Sequence, residues 1–111
     1  MKRLPVLILT ILCLPIIALA AQIYGSLRVN NSSVGEGVPV RIQCADGAYE
    51  GKTDRYGAYN IPLRPSKKCS LSVFYSGRWS VPFDVYPDED PVRYDFDLIR
   101  QSDGAITLNR R

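Results

Sequence analysis

From Gln22 onward apolar residues recur at every second position in short runs bounded by Gly, Pro, Asn, Asp and Ser, and no segment sustains a helical period. That pattern predicts an all-β sandwich or barrel. In the first run Ile23, Gly25, Leu27 and Val29 share one face and Tyr24, Ser26 and Arg28 the other, before a polar loop from Asn30 to Gly37. The second strand, Val38 to Cys44, places Val38, Val40, Ile42 and Cys44 inward and Pro39, Arg41 and Gln43 outward. Asp46-Gly47 turns the chain into a more polar third strand, Ala48 to Thr53. The stretch Lys52 to Leu63 then reads as the corner of a hairpin. Asp54, Arg55, Tyr56 and Gly57 have turn chemistry, and Tyr59, Ile61 and Leu63 form the inward face of the fourth strand. Pro62 and Pro65 limit pairing there and predict a short edge strand.

Cys69, Leu71, Val73 and Tyr75 alternate with Ser70, Ser72 and Phe74 in the fifth strand. Ser76-Gly77 turns into a sixth, where Trp79, Val81, Phe83 and Val85 share a face and Tyr86 closes the run. An acidic loop, Pro87 to Pro91, leads to the seventh, whose Val92, Tyr94, Phe96 and Leu98 alternate with Arg93, Asp95 and Asp97. Asp103-Gly104 turns the chain once more toward Ala105 to Leu108, a weak extra strand or a tail. Alternation therefore sends Tyr59, Tyr75, Tyr94 and Trp79 into the core and leaves Tyr24, Tyr56 and Phe74 on outward faces or at a turn tip.

The N-terminus changes the accounting. Lys2 and Arg3 precede an apolar run from Leu4 to Ala20 that ends in Ala18-Leu19-Ala20, small residues at the positions a signal peptidase inspects. Residues 1–20 are thus expected to be a cleaved signal peptide, 21–99 one β-sandwich domain, and 100–111 a C-terminal extension. The alternative is an uncleaved anchor, but Leu4 to Ala21 only reaches the lower length limit of a membrane helix, and Pro5, Pro15 and the alanine-rich end favour cleavage. Cys13 follows Leu12, where a lipidation site wants a small residue. The expected location is periplasmic or secreted, with contact to a membrane only through export.

Without Lys2 and Arg3 the basic residues fall by two from 14 to 12 against 11 acidic ones, a net charge of about +1 that makes no case for nucleic acid. Cleavage also removes Cys13, leaving Cys44 and Cys69 as an even pair in an exported chain, most simply a structural disulfide. If their strands are antiparallel neighbours, the end of one lies beside the start of the other, and both sulfurs face the core. With no histidine and two cysteines the usual zinc sites cannot be assembled.

Three elements in order, Gly25-Ser26-Leu27-Arg28-Val29, Gly37-Val38-Pro39-Val40, and Thr53-Asp54 followed by Gly57-Ala58-Tyr59, resemble the carboxypeptidase regulatory-like domain of the transthyretin-like (prealbumin-like) family. The resemblance spans about Gln22 to Leu98. It implies a seven-stranded antiparallel Greek-key β-sandwich, transthyretin-like or Ig-like, of the kind that serves as an accessory, adhesive or carbohydrate-associated module. Fold does not transfer function. The family includes a hydroxyisourate hydrolase that depends on histidines, and this chain has none.

The absence of histidine also removes Ser-His and Cys-His nucleophiles, so no catalytic residue is assigned. Asp95 and Asp97, about 7 Å apart by alternation, could flank a scissile bond in a carboxylate-dependent hydrolase, the least favoured reading against a solvated strand face. Asp88, Glu89 and Asp90 lack the ligand order of a calcium loop and read as a plain turn, so no metal and no cofactor is expected. Asp54 is expected to bond backbone N–H groups inside its own turn, with Thr53, Gly57 and Tyr59 completing the motif. Tyr24, Tyr56 and Phe74 are the candidate contacts for a partner, since outward aromatics anchor proteins or stack on sugars, against the plainer reading that loops or the tail cover them. Asn30-Asn31-Ser32 and Asn31-Ser32-Ser33 fit the glycosylation pattern, which matters only in a eukaryotic secretory pathway. The expected function is a non-enzymatic exported module that binds another protein within a periplasmic or cell-surface system, with a carbohydrate-binding module as the alternative.

Overall fold

The computed structural model describes residues 21–111, so the expected signal peptide lies outside the described residues. Among the described residues there is no helix, and the chain forms two sheets. The first is centred on β1 (Ala21–Val29). Along one edge β1 pairs antiparallel with β5 (Ala58–Leu63) and then β2 (Ser32–Ser33). Leu27 marks that edge: its N–H donates to the Gly57 carbonyl and its carbonyl accepts from Val34 N–H. The other edge pairs with β9 (Val92–Arg93) and β10 (Phe96–Arg100), and β10 carries β11 (Ile106–Arg110). The second sheet runs β4 (Gly47–Lys52), β3 (Pro39–Cys44) and β6 (Cys69–Tyr75), with β7 (Arg78–Trp79) and β8 (Phe83–Val85) on the far flank of β6.

The expected alternation builds the core. Ile23, Leu27, Ile61, Leu63, Phe96 and Leu98 from the first sheet meet Val40, Ile42, Leu71, Val73 and Val85 from the second, all buried. Phe83 sets its ring edge-on to Phe96 with centroids 4.8 Å apart, a contact across the sheets that contributes about 1 kcal/mol beyond the area it buries. The C-terminal stretch left open between strand and tail is the strand β11, which buries Ile106 and Leu108.

Three expectations need correction. The stretch Lys52 to Leu63 is a corner, but not of a hairpin: β4 pairs with β3 in one sheet and β5 with β1 in the other. Thr53 still belongs to the second sheet, donating its N–H to Val38 and accepting Gly37 N–H, whereas Gly57 already accepts Leu27 N–H in the first. The intervening residues therefore carry the chain between layers. Gly57 is required there, since its φ is 80° and a Cβ would stand 2.6 Å from Ser33 Oγ.

Antiparallel pairing also fails at one seam, because β1 runs parallel to β9 and β10. The loop after β8 crosses from the second sheet and delivers Val92 beside Ile23, so both strands leave from the same end. The seam is pinched at its middle. Tyr24 accepts the Tyr94 N–H, but the Tyr94 carbonyl then turns inward and accepts the Tyr59 hydroxyl at 2.6 Å, while Asp95 Oδ1 takes the Ser26 N–H at 2.8 Å. A Cβ at residue 25 would lie 2.0 Å from that carbonyl oxygen, so the position admits only glycine. Burial pushes the Tyr59 phenol far up in pKa and keeps it a donor.

Trp79 and Val81 do not face the core: they are 37% and 49% exposed. Ser76 and Gly77 both have positive φ, so the two-residue turn pairs Phe74 with Trp79 and sends both outward. Farther on, Leu71 pairs with Phe83, one residue out of step with the Phe74 pairing. The extra residue is a bulge at Ser80 to Pro82, and it reverses the parity of the strand. Inside it Ser80 Oγ accepts the Val73 N–H, and Val81 donates to the Ile106 carbonyl, fastening this flank of the second sheet to β11.

Cys44 and Cys69 are bonded directly across the β3–β6 pair, with Cα atoms 4.5 Å apart, the spacing of a non-hydrogen-bonded antiparallel pair. The loop they close contains β4, the corner and β5, so the bridge ties the crossover between the sheets. Replacing both with alanine should lower the unfolding free energy by about 3 kcal/mol in urea titrations; an unchanged midpoint would show the bridge to be dispensable. Gly25→Ala should cost about 3 kcal/mol or more in the same assay, and a cost below about 1 kcal/mol would mean that the pinched seam relaxes freely.

Candidate functional site

The turn motif is built for structure. Thr53 is buried, and its hydroxyl accepts the Val38 N–H at 2.9 Å and donates to the Gly35 carbonyl at 2.6 Å. Asp54 Oδ1 accepts the N–H groups of Tyr56 and Ala58 at 2.8 and 3.0 Å. Every polar group the sequence singled out in this motif is thus used inside the fold. Gly57 packs against Leu27 and Ser33, and Tyr59 reaches Tyr94.

The three aromatic candidates do not meet. Tyr24 lies on the outer face of the first sheet, 36% exposed between Asn60 of β5 and Arg93 of β9. Tyr56 stands 71% exposed at the corner, with the Arg55 guanidinium 5.5 Å from its ring. Phe74 is half-buried on the outer face of the second sheet, and there it has company. Its ring meets Trp79 edge to face at 5.2 Å. The Arg41 guanidinium covers the Trp79 ring at 4.3 Å and is held from behind by Glu50, with Nε to Oε2 at 3.0 Å. Arg41 pairs with Ser72 on the intervening strand, and that small residue leaves room for the guanidinium to reach across β6. Trp79 and Arg41 were missed as site residues; for Trp79 a signal was present, since counting back across a two-residue Ser76-Gly77 turn places it beside Phe74.

On the opposite face, Asp95 and Asp97 are held by arginines. Arg93 Nε lies 2.8 Å from Asp95 Oδ2, and Arg111 Nε and Arg28 Nε lie 3.0 and 3.6 Å from Asp97 Oδ1. The Asp97 contacts are ionic, since neither N–H is aimed along a hydrogen bond to that oxygen. For Asp95, desolvation raises the pKa, but the Ser26 N–H, the hydrogen bond and charge of Arg93 and the charge of Arg111 outweigh it. The carboxyl lies below its ordinary value. A general acid needs the opposite shift. In the acidic loop Asp88 Oδ1 accepts the Glu89 N–H, and among the described residues no three His, Cys, Asp or Glu side chains gather as a metal site.

The lowered Asp95 pKa fixes a pH dependence. Its contribution to stability is fully present above the unfolded value, near pH 4, and is lost as pH falls through the lower folded value. Urea midpoints of wild type and Asp95→Asn should differ by a constant amount above about pH 5 and converge below about pH 4. A difference that persists unchanged to about pH 2 would remove the carboxylate from the account.

No protein-family model matches the chain, and no curated protein does. Among solved structures it is similar to a 9R-lipoxygenase from Cyanothece PCC8801, at 15% identity and a TM-score of 0.40, over 82% of this chain and 13% of that one. At that TM-score the likeness carries no argument about activity.

Proposed function

We propose that this chain is a non-enzymatic, exported β-sandwich module of the transthyretin-like type that binds another protein, as an accessory component of a periplasmic or cell-surface system. The observation that carries the reading is the cluster of Trp79, Phe74 and Arg41 on the outer face of the second sheet. Tryptophan and arginine are the residues that dominate binding energy at interfaces, and here both are held in place before any partner arrives. Stacking on a sugar asks for a free ring face, and Arg41 already covers one face of Trp79. Tyr24, Tyr56 and Phe74 lie on three separate surfaces and form no common platform, which weakens the glycan reading further.

Export is supported by the Cys44–Cys69 bridge, which is compatible with an oxidising compartment. The transthyretin-like reading draws support from how the motif residues meet. Thr53 bonds the backbone of Val38, Gly57 packs on Leu27, and Gly25 makes room for the Tyr94 carbonyl. The lowered pKa of Asp95 and the arginines paired with both carboxylates speak against a hydrolase.

Crosslinked capture from the exported fraction tests the reading. Wild type should retain one specific protein, Trp79→Ala should bind it roughly 30-fold or more weakly, and Tyr24→Ala and Tyr56→Ala should bind as wild type does. Capture of no specific protein, or capture indifferent to Trp79, would sink it.

A further inference from the structure

A cleft of about 470 Å³ opens at the end of the sandwich where β1 and β10 finish. That volume lies in the range of small-molecule sites. Its apolar lining comes from Val29, Leu98, Ile99 and Ile106, with Tyr75 contributed by the second sheet. Leu98 and Ile106 are buried and form the floor, whereas Val29 and Tyr75 are half-buried and Ile99 is exposed, so these three offer the accessible apolar surface. The cleft follows from the strand lengths. β1 ends at Val29 and reverses through Asn30 and Asn31, both at positive φ, whereas β10 continues to Arg100 to pair with Ile106.

The charge at this cleft is one-sided. Arg100 lines it, and its Nη2 donates to Ser76 Oγ, which links the β10 end to the turn between β6 and β7. Among the described residues no carboxylate lies within 4 Å of the Arg100 guanidinium, in contrast to Arg28, Arg41, Arg93 and Arg111. One hydrogen bond orients the fork and leaves further donors unused. The acidic residue of the lining, Asp97, is answered by both Arg28 and Arg111, so it does not offset Arg100.

We propose that this cleft binds a small amphipathic carboxylate, with its chain against Val29, Tyr75 and Ile99 and its head on Arg100. This site is distinct from the Trp79 surface and stands or falls apart from it. A neutral alcohol of equal chain length keeps the apolar contacts and loses the head-group bond, and a cationic amphiphile meets Arg100 as a like charge.

The test is an amide-resolved NMR titration of the purified protein with octanoate, octanol and octyltrimethylammonium, each below its micelle concentration. Octanoate should saturate and shift the amides of Val29, Asn31, Leu98, Arg100 and Ile106. Octanol should bind about tenfold more weakly, the loss of one charge-assisted hydrogen bond. Arg100→Gln should bring octanoate down to the octanol level without altering octanol binding. Ile99 is 42% exposed at the rim, so Ile99→Trp should fold and occlude the cleft, weakening both. Trp79→Ala should leave octanoate binding unchanged. The proposal is overturned by non-saturating octanoate shifts, by shifts centred on another face, by octanol or the ammonium binding as tightly as octanoate, or by an Arg100→Gln variant that binds octanoate like wild type.

Discussion

The hydrogen bond from the Tyr59 hydroxyl to the Tyr94 carbonyl, inside the core, is the contact on which the architecture turns. It joins the first residues after the corner to the strand that returns from the second sheet, and it does so through the space left by the missing side chain of Gly25. Drawing that carbonyl inward takes an acceptor away from the β1 seam. Asp95 supplies the replacement with its side chain. Once Asp95 is committed there, Arg93 and Arg111 gather around it and its neighbour Asp97, and the outer face of the first sheet becomes an ion-pair network. A buried carbonyl without a partner costs more than a typical hydrogen bond contributes, so these substitutions are coupled.

The sequence's alternation carried most of the core, because a period of two is a local property that any stretch of strand must obey. Ile23, Leu27, Ile61, Leu71 and Phe96 are buried where it placed them. It could not tell a hairpin from a crossover at Lys52 to Leu63, since Asp54 and Gly57 close the same tight turn in either case and only long-range pairing decides. It could not foresee the parallel seam for the same reason. Trp79 is a different kind of miss. Its parity relative to Phe83 is broken by one extra residue, and no periodic pattern survives a bulge. The disulfide was legible because two cysteines on inward positions of adjacent strands have few alternatives. The Arg41 contact was not, because it spans three strands.

The two outer faces therefore have different characters. On the first sheet, charges answer one another at 2.8 to 3.6 Å, so each carboxylate there already has its partner. On the second, the aromatic pair of Phe74 and Trp79 is flanked by the Arg41–Glu50 ion pair and by small side chains at Ser70 and Ser72. A partner covering that face would displace water from rings and would meet one ion pair in place of a network.

Rigidity links this face to the covalent bridge. Cys44 and Cys69 join β3 and β6, the strands that carry Arg41 and Phe74, while Trp79 hangs from β6 through its tight turn. The bridge therefore fixes the relative register of the two strands whose side chains grip the tryptophan. Association costs conformational freedom wherever interface side chains must be ordered, about 1 kcal/mol for each long one. With β3 and β6 locked and Arg41 held between Glu50 and Trp79, that cost is met largely during folding, and oxidation of the bridge acts on the surface as well as on the core.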